Sequence, residues 1–300
     1  HRYAIIPESF IGCLGRRMAL VRVNENQVSY KFLYYTFLSD AWRGFIEANK
    51  LTGATVDRIS ITDFPDYQVS IPSLLTQRKI ARILSAYDEL IENNLKRIKL
   101  LEEKANLIYN RMSKELEKSK KINLYDFATI LMGFAFKADS FNEKGEGIPI
   151  IRIRDISNQK TKAYTTQDAD DQYWVEKGDL LIGMDGEFHM NEWLGQRGYL
   201  VQRVCRIRAK NKLHQSYLWQ ALKAPIYYYE TTISGATVAH LGKKHLEEIF
   251  ISNPEDFQKE ELEYLNKMRK IKINLADQNT KLREARDILL PRLMSGQLEV

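Results

Sequence analysis

The chain has 300 residues, 44% of them apolar, which is enough for about two domains with real cores. Nowhere does it approach the roughly 18 uncharged apolar residues that a membrane span needs, so we expect no membrane association. The formal net charge of +6 lies in residues 1–123, with 20 Lys and Arg against 14 Asp and Glu. This mildly basic balance permits nucleic-acid binding without requiring it.

Residues 1–71 are predicted to be the C-terminal part of an α+β domain. The sequence predicts a strand at 19–23, an aromatic-rich helix at 30–46 and a closing strand at 69–71. Cys13 and Cys205 stand in apolar surroundings without metal-ligand spacing. We therefore expect both to be reduced core residues of a cytoplasmic protein.

Residues 72–119 are predicted to hold a first long helix, from about residue 74 to 117. Apolar residues recur there at alternating spacings of four and three, which is the a/d pattern of a coiled coil. One polar residue, Asn94, interrupts the seam, and such a residue commonly fixes the pairing register. The expected seam consists of Ile80, Leu84, Tyr87, Ile91, Asn94, Ile98 and Leu101.

Residues 120–253 are predicted to form a second α/β domain. It should contain strands at 148–156, 179–182, 204–208 and 249–251, and a helix at 215–229.

Residues 254–300 are predicted to hold a second long helix, from about 255 to 294, and a short tail. Its seam should consist of Leu265, Met268, Leu275, Asn279, Leu282 and Leu289. Two long helices joined by one compact domain most simply pair antiparallel within the chain, and the alternative is pairing with another subunit.

The chain repeats itself at long range. Thr52-Gly-Ala-Thr-Val56 returns 182 residues later as Ser234-Gly-Ala-Thr-Val238, and each copy leads through a proline into one of the long helices. This pattern indicates one unit written twice. The second copy has about 80 upstream residues that the first lacks, so the first domain is expected to be partial.

We find no motif for catalysis or metal binding. There is no phosphate loop, no metal-type histidine spacing and no plausible catalytic serine.

Basic residues of the second domain are more informative about function. Arg152 and Arg154 alternate on the strand expected at 148–156, and Lys160 and Lys162 follow on the next loop. A second alternating run, from Arg206 to Lys212, would add to a patch suited to phosphate contacts, although a solvated sheet face explains each run equally well.

The repeated Gly-Ala-Thr loop is the other candidate for reading DNA, the alternative being a structural turn that both copies need. Its side chains include donors to base edges and phosphates. The candidates are Thr237, His240, Lys243 and Lys244 in the second copy, and Thr55 and Arg58 in the first.

In these motifs the chain resembles the specificity (S) subunits of type I restriction–modification systems. The resemblance covers essentially the whole chain. Its strongest pieces are Ile71-Pro-Ser-Leu-Leu-Thr-Gln-Arg-Lys-Ile-Ala-Arg-Ile-Leu-Ser85, the ending Leu290-Pro-Arg-Leu-Met-Ser-Gly-Gln-Leu298, Gly178-Asp-Leu-Leu-Ile-Gly183 and the two Gly-Ala-Thr loops. The chain departs from the family by lacking the N-terminal half of the first recognition domain.

The resemblance implies an α+β protein with two target recognition domains separated by an antiparallel pair of helices. Each domain would read half of a split double-stranded DNA target. The helices would dock DNA adenine methyltransferase subunits, two of them expected, which use S-adenosylmethionine, and a separate restriction (motor) subunit would use ATP and Mg²⁺. This chain itself would be non-catalytic and hold no cofactor.

Two other functions stay open from the residues alone. One is a structural coiled-coil protein with two interaction domains and no DNA role. The other is a nuclease or methyltransferase with motifs that we do not recognise.

Overall fold

The computed structural model describes residues 2–51, 58–116, 119–233, 239–256 and 259–300. The described residues form helices α1 Tyr30–Leu38, α2 Asp40–Ala48, α3 Leu74–Leu116, α4 Leu124–Phe127, α5 Ile153–Asn158, α6 Gln215–Thr232, α7 Lys243–Glu247 and α8 Lys259–Met294. The strands are β1 Lys121–Asn123, β2 Ala128–Met132, β3 Phe141–Asn142, β4 Ile148–Ile151, β5 Tyr164–Thr165, β6 Trp174–Val175, β7 Leu180–Gly183, β8 Met190–Glu192, β9 Gly198–Leu200, β10 Val204–Ala209 and β11 Phe250–Ser252. The expected α+β class is confirmed.

The chain divides into two compact units, residues 1–93 with 278–300, and residues 94–277. Each unit therefore takes part of both long helices. None of the described helices combines the length and the apolarity that crossing a membrane demands.

The helical unit, residues 1–93 with 278–300, packs α1 against the first turns of α3 and the last turns of α8. Its buried core consists of Phe32, Tyr35, Ile80, Ala81, Leu84 and Leu293. Arg286 pairs with Asp88 at 2.5 Å, and the Asn279 amide donates to the Ile91 carbonyl at 3.4 Å. Because rising numbers on α3 meet falling numbers on α8, the two helices run antiparallel here. Asn279 is a buried polar residue of the predicted seam.

The predicted single helix at 30–46 is wrong, since it is two helices that break at Ser39. The Ser39 backbone is extended, and its hydroxyl accepts from the Trp42 amide at 3.3 Å. Serine favours this N-cap position because its side chain satisfies a free amide of the first turn. The hydroxyl also donates to the Thr36 carbonyl at 2.7 Å, so one side chain serves both helices.

The strands expected at 19–23 and 69–71 are not formed, because the described residues of the helical unit offer no partner strand. In the second copy the matching strand is β10, which takes its hydrogen bonds from β2 and β7. Both of those come from the stretch that the first copy lacks. Cys13 is consequently exposed, contrary to the expected core position, whereas Cys205 is buried as expected.

The sheet unit, residues 94–277, contains three sheets. A four-stranded antiparallel sheet has the order β2-β10-β7-β8, and a five-stranded sheet has the order β3-β5-β4-β9-β6 with β4 and β9 parallel. Strands β1 and β11 form a third, two-stranded sheet. The predicted strands 179–182, 204–208 and 249–251 correspond to β7, β10 and β11.

Helix α6 and parts of α3 and α8 complete the main core of the sheet unit. Leu262, Leu265 and Met268 of α8 lie in one cluster with Met112 of α3 and with buried residues of β7, β10 and α6. Arg111 pairs with Glu261 at 3.0 Å, and Lys272 pairs with Glu102 at 3.2 Å. The helices are therefore antiparallel in this unit too.

The other predicted seam positions lie as follows. Leu265, Met268 and Leu275 are buried, and so are Ile91 and Asn94. Partly buried positions are Tyr87, Ile98, Leu101, Leu282 and Leu289. Two charged residues, Lys272 and Arg286, occupy seam positions that the apolar pattern skipped.

Candidate nucleic-acid interface

The two Gly-Ala-Thr loops bear directly on the DNA-binding prediction, and both fall in undescribed stretches. Thr55 and Thr237 lie outside the described residues, so neither prediction is tested. The described residues that flank the second loop do define a local site.

Four loop segments of the sheet unit meet at one end of the four-stranded sheet. The Met184 amide donates to the Arg203 carbonyl at 2.8 Å, and the Leu241 amide donates to the Met184 carbonyl at 2.8 Å. The Gly133 amide donates to the Val204 carbonyl at 2.9 Å. Backbone hydrogen bonds thus tie together the loops after β2, after β7, before β10 and before α7.

Asp185 is the centre of this loop end. Its carboxylate oxygens lie 2.6 Å from His240 Nδ1 and 2.8 Å from Arg203 Nη1. The Asp185 side chain is 15% exposed, whereas those of Arg203 and His240 are 65% and 61% exposed. One mostly buried carboxylate therefore orients two donors that face solvent. We call Asp185, Arg203 and His240 the loop-end triad.

Arg203 occupies an unfavourable backbone conformation. It is the third residue of the turn closed by the Val204 amide and the Val201 carbonyl at 3.0 Å, and its φ is +72°. A type II turn has positive φ at this position and prefers Gly or Asn there. An arginine in the left-handed region costs on the order of 1–2 kcal/mol. Residues held in such regions cluster at functional sites.

Arg152 and Arg154 do not alternate on a strand, because β4 ends at Ile151. Asp155 ends the strand by accepting from the Arg152 amide at 3.0 Å, which starts α5. The Arg152 side chain folds onto the same carboxylate, with Nε at 3.0 Å. It is three-quarters buried and engaged, whereas Arg154 is exposed on α5. Of the two, Arg154 is the better placed to meet a ligand.

Lys160 and Lys162 lie on the segment between α5 and β5, and both are exposed. Between and after them, Thr161 and Ala163 are buried, and the Ala163 carbonyl accepts from the Ile150 amide at 2.9 Å. This alternation presents the two ammonium groups outward, as the prediction needs.

Lys243 and Lys244 open helix α7 and are exposed. Lys243 pairs with Glu247 one turn later at 3.4 Å. Lys244 has no ion pair among the described residues. His245 turns inward, where its Nδ1 accepts from the Gly242 amide at 3.0 Å.

The alternating run from Arg206 to Lys212 does not form a phosphate-binding face, which corrects that expectation. Arg206 is buried and donates to the Trp174 carbonyl, and burial lowers its pKa. Arg208 makes two hydrogen bonds to Asp179, at 2.5 and 2.6 Å, which raise its pKa. Lys210 donates to the Tyr125 carbonyl at 2.9 Å. Arg206 is thus buried and Arg208 is held by Asp179, while Lys210 and Lys212 are exposed, so the four side chains do not present one common face to a phosphate.

In the helical unit, Arg58 is exposed, and its carbonyl accepts from the Leu51 amide at 2.7 Å. The loop between these two residues is the undescribed first copy, so Arg58 marks its base and nothing more.

A second acid–base cluster lies deep in the sheet unit. Glu192 of β8 is 3% exposed; it accepts from Arg269 and lies 2.5 Å from Lys272 Nζ. Burial alone would lower the pKa of Lys272, but Glu192 and Glu102 outweigh it and raise that pKa. We call Glu192, Arg269 and Lys272 the buried triad.

The described residues bring no three His, Cys, Asp or Glu side chains together in a way that could hold a metal ion. The sequence analysis proposed His240 as a candidate and did not single out Asp185 or Arg203. No local pattern marks these two, because they are 18 residues apart and meet only through the neighbouring strands β7 and β10. A basic residue in a tight turn before a buried strand was the one available signal.

The fold and the loop end together define a mixed α/β unit whose core includes segments of two long antiparallel helices. A family model for the type I restriction modification DNA specificity domain matches residues 2–103 and 117–283. The chain belongs to this family.

Two curated relatives are specificity subunits of type I restriction enzymes. The chain is 34% identical over 135 residues to the type I restriction enzyme EcoBI specificity subunit of Escherichia coli. It is 22% identical over 156 residues to the putative type I restriction enzyme MjaX specificity subunit of Methanocaldococcus jannaschii. These matches cover 45% and 46% of this chain but 28% and 37% of the relatives, so the chain spans about a third of the relatives it matches.

The fold is similar to that of the type I restriction–modification S subunit from M. genitalium, known from a crystal structure. The TM-score is 0.52 at 20% identity, covering 90% of this chain and 74% of that one. This likeness concerns the fold.

Proposed function

We propose that this chain is a non-catalytic, DNA sequence-reading specificity subunit of a type I restriction–modification complex. The observation that carries the proposal is the family match, which extends over both copies of the internal repeat.

The loop end of the sheet unit supports a DNA-facing role. Arg203 and His240 are exposed donors fixed by one carboxylate, and exposed cations Arg154, Lys162 and Lys244 belong to the same unit. Arginine, lysine and histidine donate to base edges and phosphates. Phosphate contacts release counterions, so binding to a duplex should weaken steeply as salt rises. A purely structural coiled-coil protein would lack that salt dependence.

The target is proposed to be bipartite, because the unit is written twice. Two related recognition units should read two half-sites, and differences between Thr55-Val-Asp-Arg58 and the residues from Thr237 to Lys244 should make the half-sites different.

The long helices are proposed to dock two DNA adenine methyltransferase subunits, and through them a restriction subunit. Their buried seam leaves other faces to solvent. In the sheet unit, Leu100 and Leu107 of α3 and Tyr264 and Ile271 of α8 are exposed at a spacing of seven residues. Large apolar side chains repeated along one exposed helix face are typical of partner surfaces. S-adenosylmethionine, ATP and Mg²⁺ would belong to those partners.

The test is a methylome of the source cell by long-read sequencing, with this gene intact, deleted and restored. We expect adenine methylation at one split motif to disappear on deletion and to return on restoration. Expression of the modification subunits is measured in all three strains as the control. An unchanged motif in the deletion strain would contradict the proposal.

A further inference from the structure

The turn before β10 holds its arginine unusually firmly. A Cβ on Gly133 would lie 2.1 Å from the Val201 carbonyl oxygen, so the backbone of this turn packs directly on the end of β2. The Gln202 amide donates to the Phe134 carbonyl at 2.8 Å, and the Gly133 amide donates to the Val204 carbonyl. With the Val204–Val201 turn bond and the bond from the Met184 amide to the Arg203 carbonyl, four backbone hydrogen bonds and one close approach fix the Cα position of Arg203.

The residue at position 203 is unfavourable for its backbone conformation. At φ +72° a glycine would be free of strain, yet the chain places a long charged side chain there. That side chain contributes no burial, since it is mostly exposed. Its one ion pair within the described residues is to Asp185, which is also held by the Asp185–His240 backbone bridge.

The geometry leaves most of the guanidinium free. The nearest contact of Asp185 is with Nη1, and neither Nε nor Nη2 donates a hydrogen bond to another described residue. The second carboxylate oxygen lies 2.6 Å from His240 Nδ1, so Asp185 is itself held in place from the other side. A planar fork of donors, restrained at one corner and exposed along its edge, is suited to a pair of acceptors.

We propose that Arg203 is a specificity-determining residue that reads a guanine in the half-site of the sheet unit, with Asp185 as its positioning residue. This inference rests on the proposed DNA-reading function. The N7 and O6 atoms of guanine form the acceptor pair of the major groove that an arginine fork matches. A phosphate contact is the competing use of the same side chain, and it would carry no sequence information.

Two substitutions separate these uses. Arg203→Gly removes the fork and relieves the positive-φ strain. Arg203→Lys keeps the charge but not the fork, so a phosphate contact survives it and bidentate base reading does not. Arg197→Ala is the matched control, because Arg197 is also exposed and pairs with one carboxylate, that of Glu176.

The experiment measures the methylated motif and its occupancy in cells that carry the full chain or a variant together with the modification subunits. The melting temperature of each purified chain is measured in parallel. For Arg203→Gly we expect an equal or higher melting temperature. For both Arg203 variants we expect a relaxed requirement for one guanine, so that sites with another base at that position are methylated at a level within about 10-fold of the parent motif. Arg197→Ala should keep the parent motif.

Asp185→Asn should weaken the same guanine preference, and Asp185→Glu should restore part of it. A residue with a purely structural role would change the melting temperature without changing that preference.

The inference is overturned if Arg203→Lys keeps both the motif and its occupancy, or if the Arg203 variants lose methylation uniformly with no guanine preference changed. Either result leaves the proposed function intact, because the parent still directs methylation to a motif. If the parent chain directs no methylation although the modification subunits are expressed, the proposed function fails and this inference fails with it.

Discussion

The loop-end triad and the buried triad are built alike but have opposite surroundings. In each, one carboxylate of the sheet unit contacts two nitrogen-bearing side chains. The side chains of Glu192 and Lys272 are almost wholly removed from water and that of Arg269 is 19% exposed, whereas Arg203 and His240 are largely exposed. Burial makes the first arrangement a fixed joint between β8 and α8. Exposure leaves the second with free donors, at small cost in stability, and this is the property a DNA-reading site needs.

The physical difference lies in desolvation. Removing one member of a buried ionic group strands the others without water, which typically costs about 3–5 kcal/mol. Removing one member of an exposed pair costs about 0–1 kcal/mol, because water replaces it. Stability measurements on matched substitutions can therefore test the distinction directly.

Glu192→Ala should have the largest effect. It leaves Arg269 and Lys272 buried against each other, with Glu102 as the remaining acid near Lys272. We expect the free energy of unfolding to fall by about 3–5 kcal/mol in denaturant titrations.

Glu187→Ala is the control for this substitution, since Glu187 is an exposed carboxylate that pairs with His189. Its effect should stay within about 0.5 kcal/mol. A loss below about 1 kcal/mol for Glu192→Ala would mean that water reaches the buried triad.

Asp179→Asn should have an intermediate effect. Asp179 is buried and accepts from Arg208 and from the Glu176 amide, but Arg208 is itself half exposed. Because the arginine can regain water, we expect a loss of about 2 kcal/mol in the same titration, in line with hydrogen bonds to charged groups. A loss as large as that of Glu192→Ala would show that partner exposure does not govern the cost.

Asp185→Asn should change stability least, by less than about 1 kcal/mol, and DNA binding most. Fluorescence anisotropy with a duplex that carries the methylated motif should show about 10-fold weaker binding. The substitution also removes a negative charge, which by itself would strengthen attraction to DNA. Asp168→Asn makes the same charge change at an exposed position, so it is the matched control. Equal behaviour of the two variants would contradict a positioning role for Asp185.

Much of this fold could be predicted from the sequence, because its signals are local and periodic. The heptad spacing predicted both long helices, and buried apolar runs marked β7 and β10. The predictions were wrong where a single side chain determines the end of a helix or strand. Ser39 splits a helix by capping the next one, and Asp155 ends β4 by starting α5. Both are capping residues whose roles can be recognised from the sequence only when the helix boundary is already suspected.

The candidate site was less predictable, because pairing across a sheet is not written in sequence spacing. Arg206 and Arg208 fit the period of a basic face, yet Trp174 and Asp179 occupy them. Arg203 fits no period, and only the packing of its turn on Gly133 and its contact with Asp185 single it out. Charge patterns predicted which residues are cationic, and only tertiary contacts decide which of them are free.

A last test uses the reactivity of the two cysteines. Its first substitution, Cys13→Ser, is expected to leave stability unchanged. Cys13 is exposed, whereas Cys205 is the second residue of β10 and lies two residues after Arg203; burial raises the pKa of Cys205 to about 12. At pH 8 roughly one Cys205 thiol in ten thousand would be ionised, and the thiolate is the reactive form. We therefore expect a thiol reagent to modify Cys13 rapidly and Cys205 only as fast as the sheet opens.

Cys13→Ser should abolish the rapid phase. In the Cys13→Ser chain, Glu192→Ala should accelerate the slow phase, because the buried triad stabilises the closed sheet unit. Asp185→Asn should leave the slow phase unchanged, because the loop-end triad does not. Acceleration by Asp185→Asn would mean that the loop-end triad is also part of the structural framework, and the contrast between the two triads would be lost.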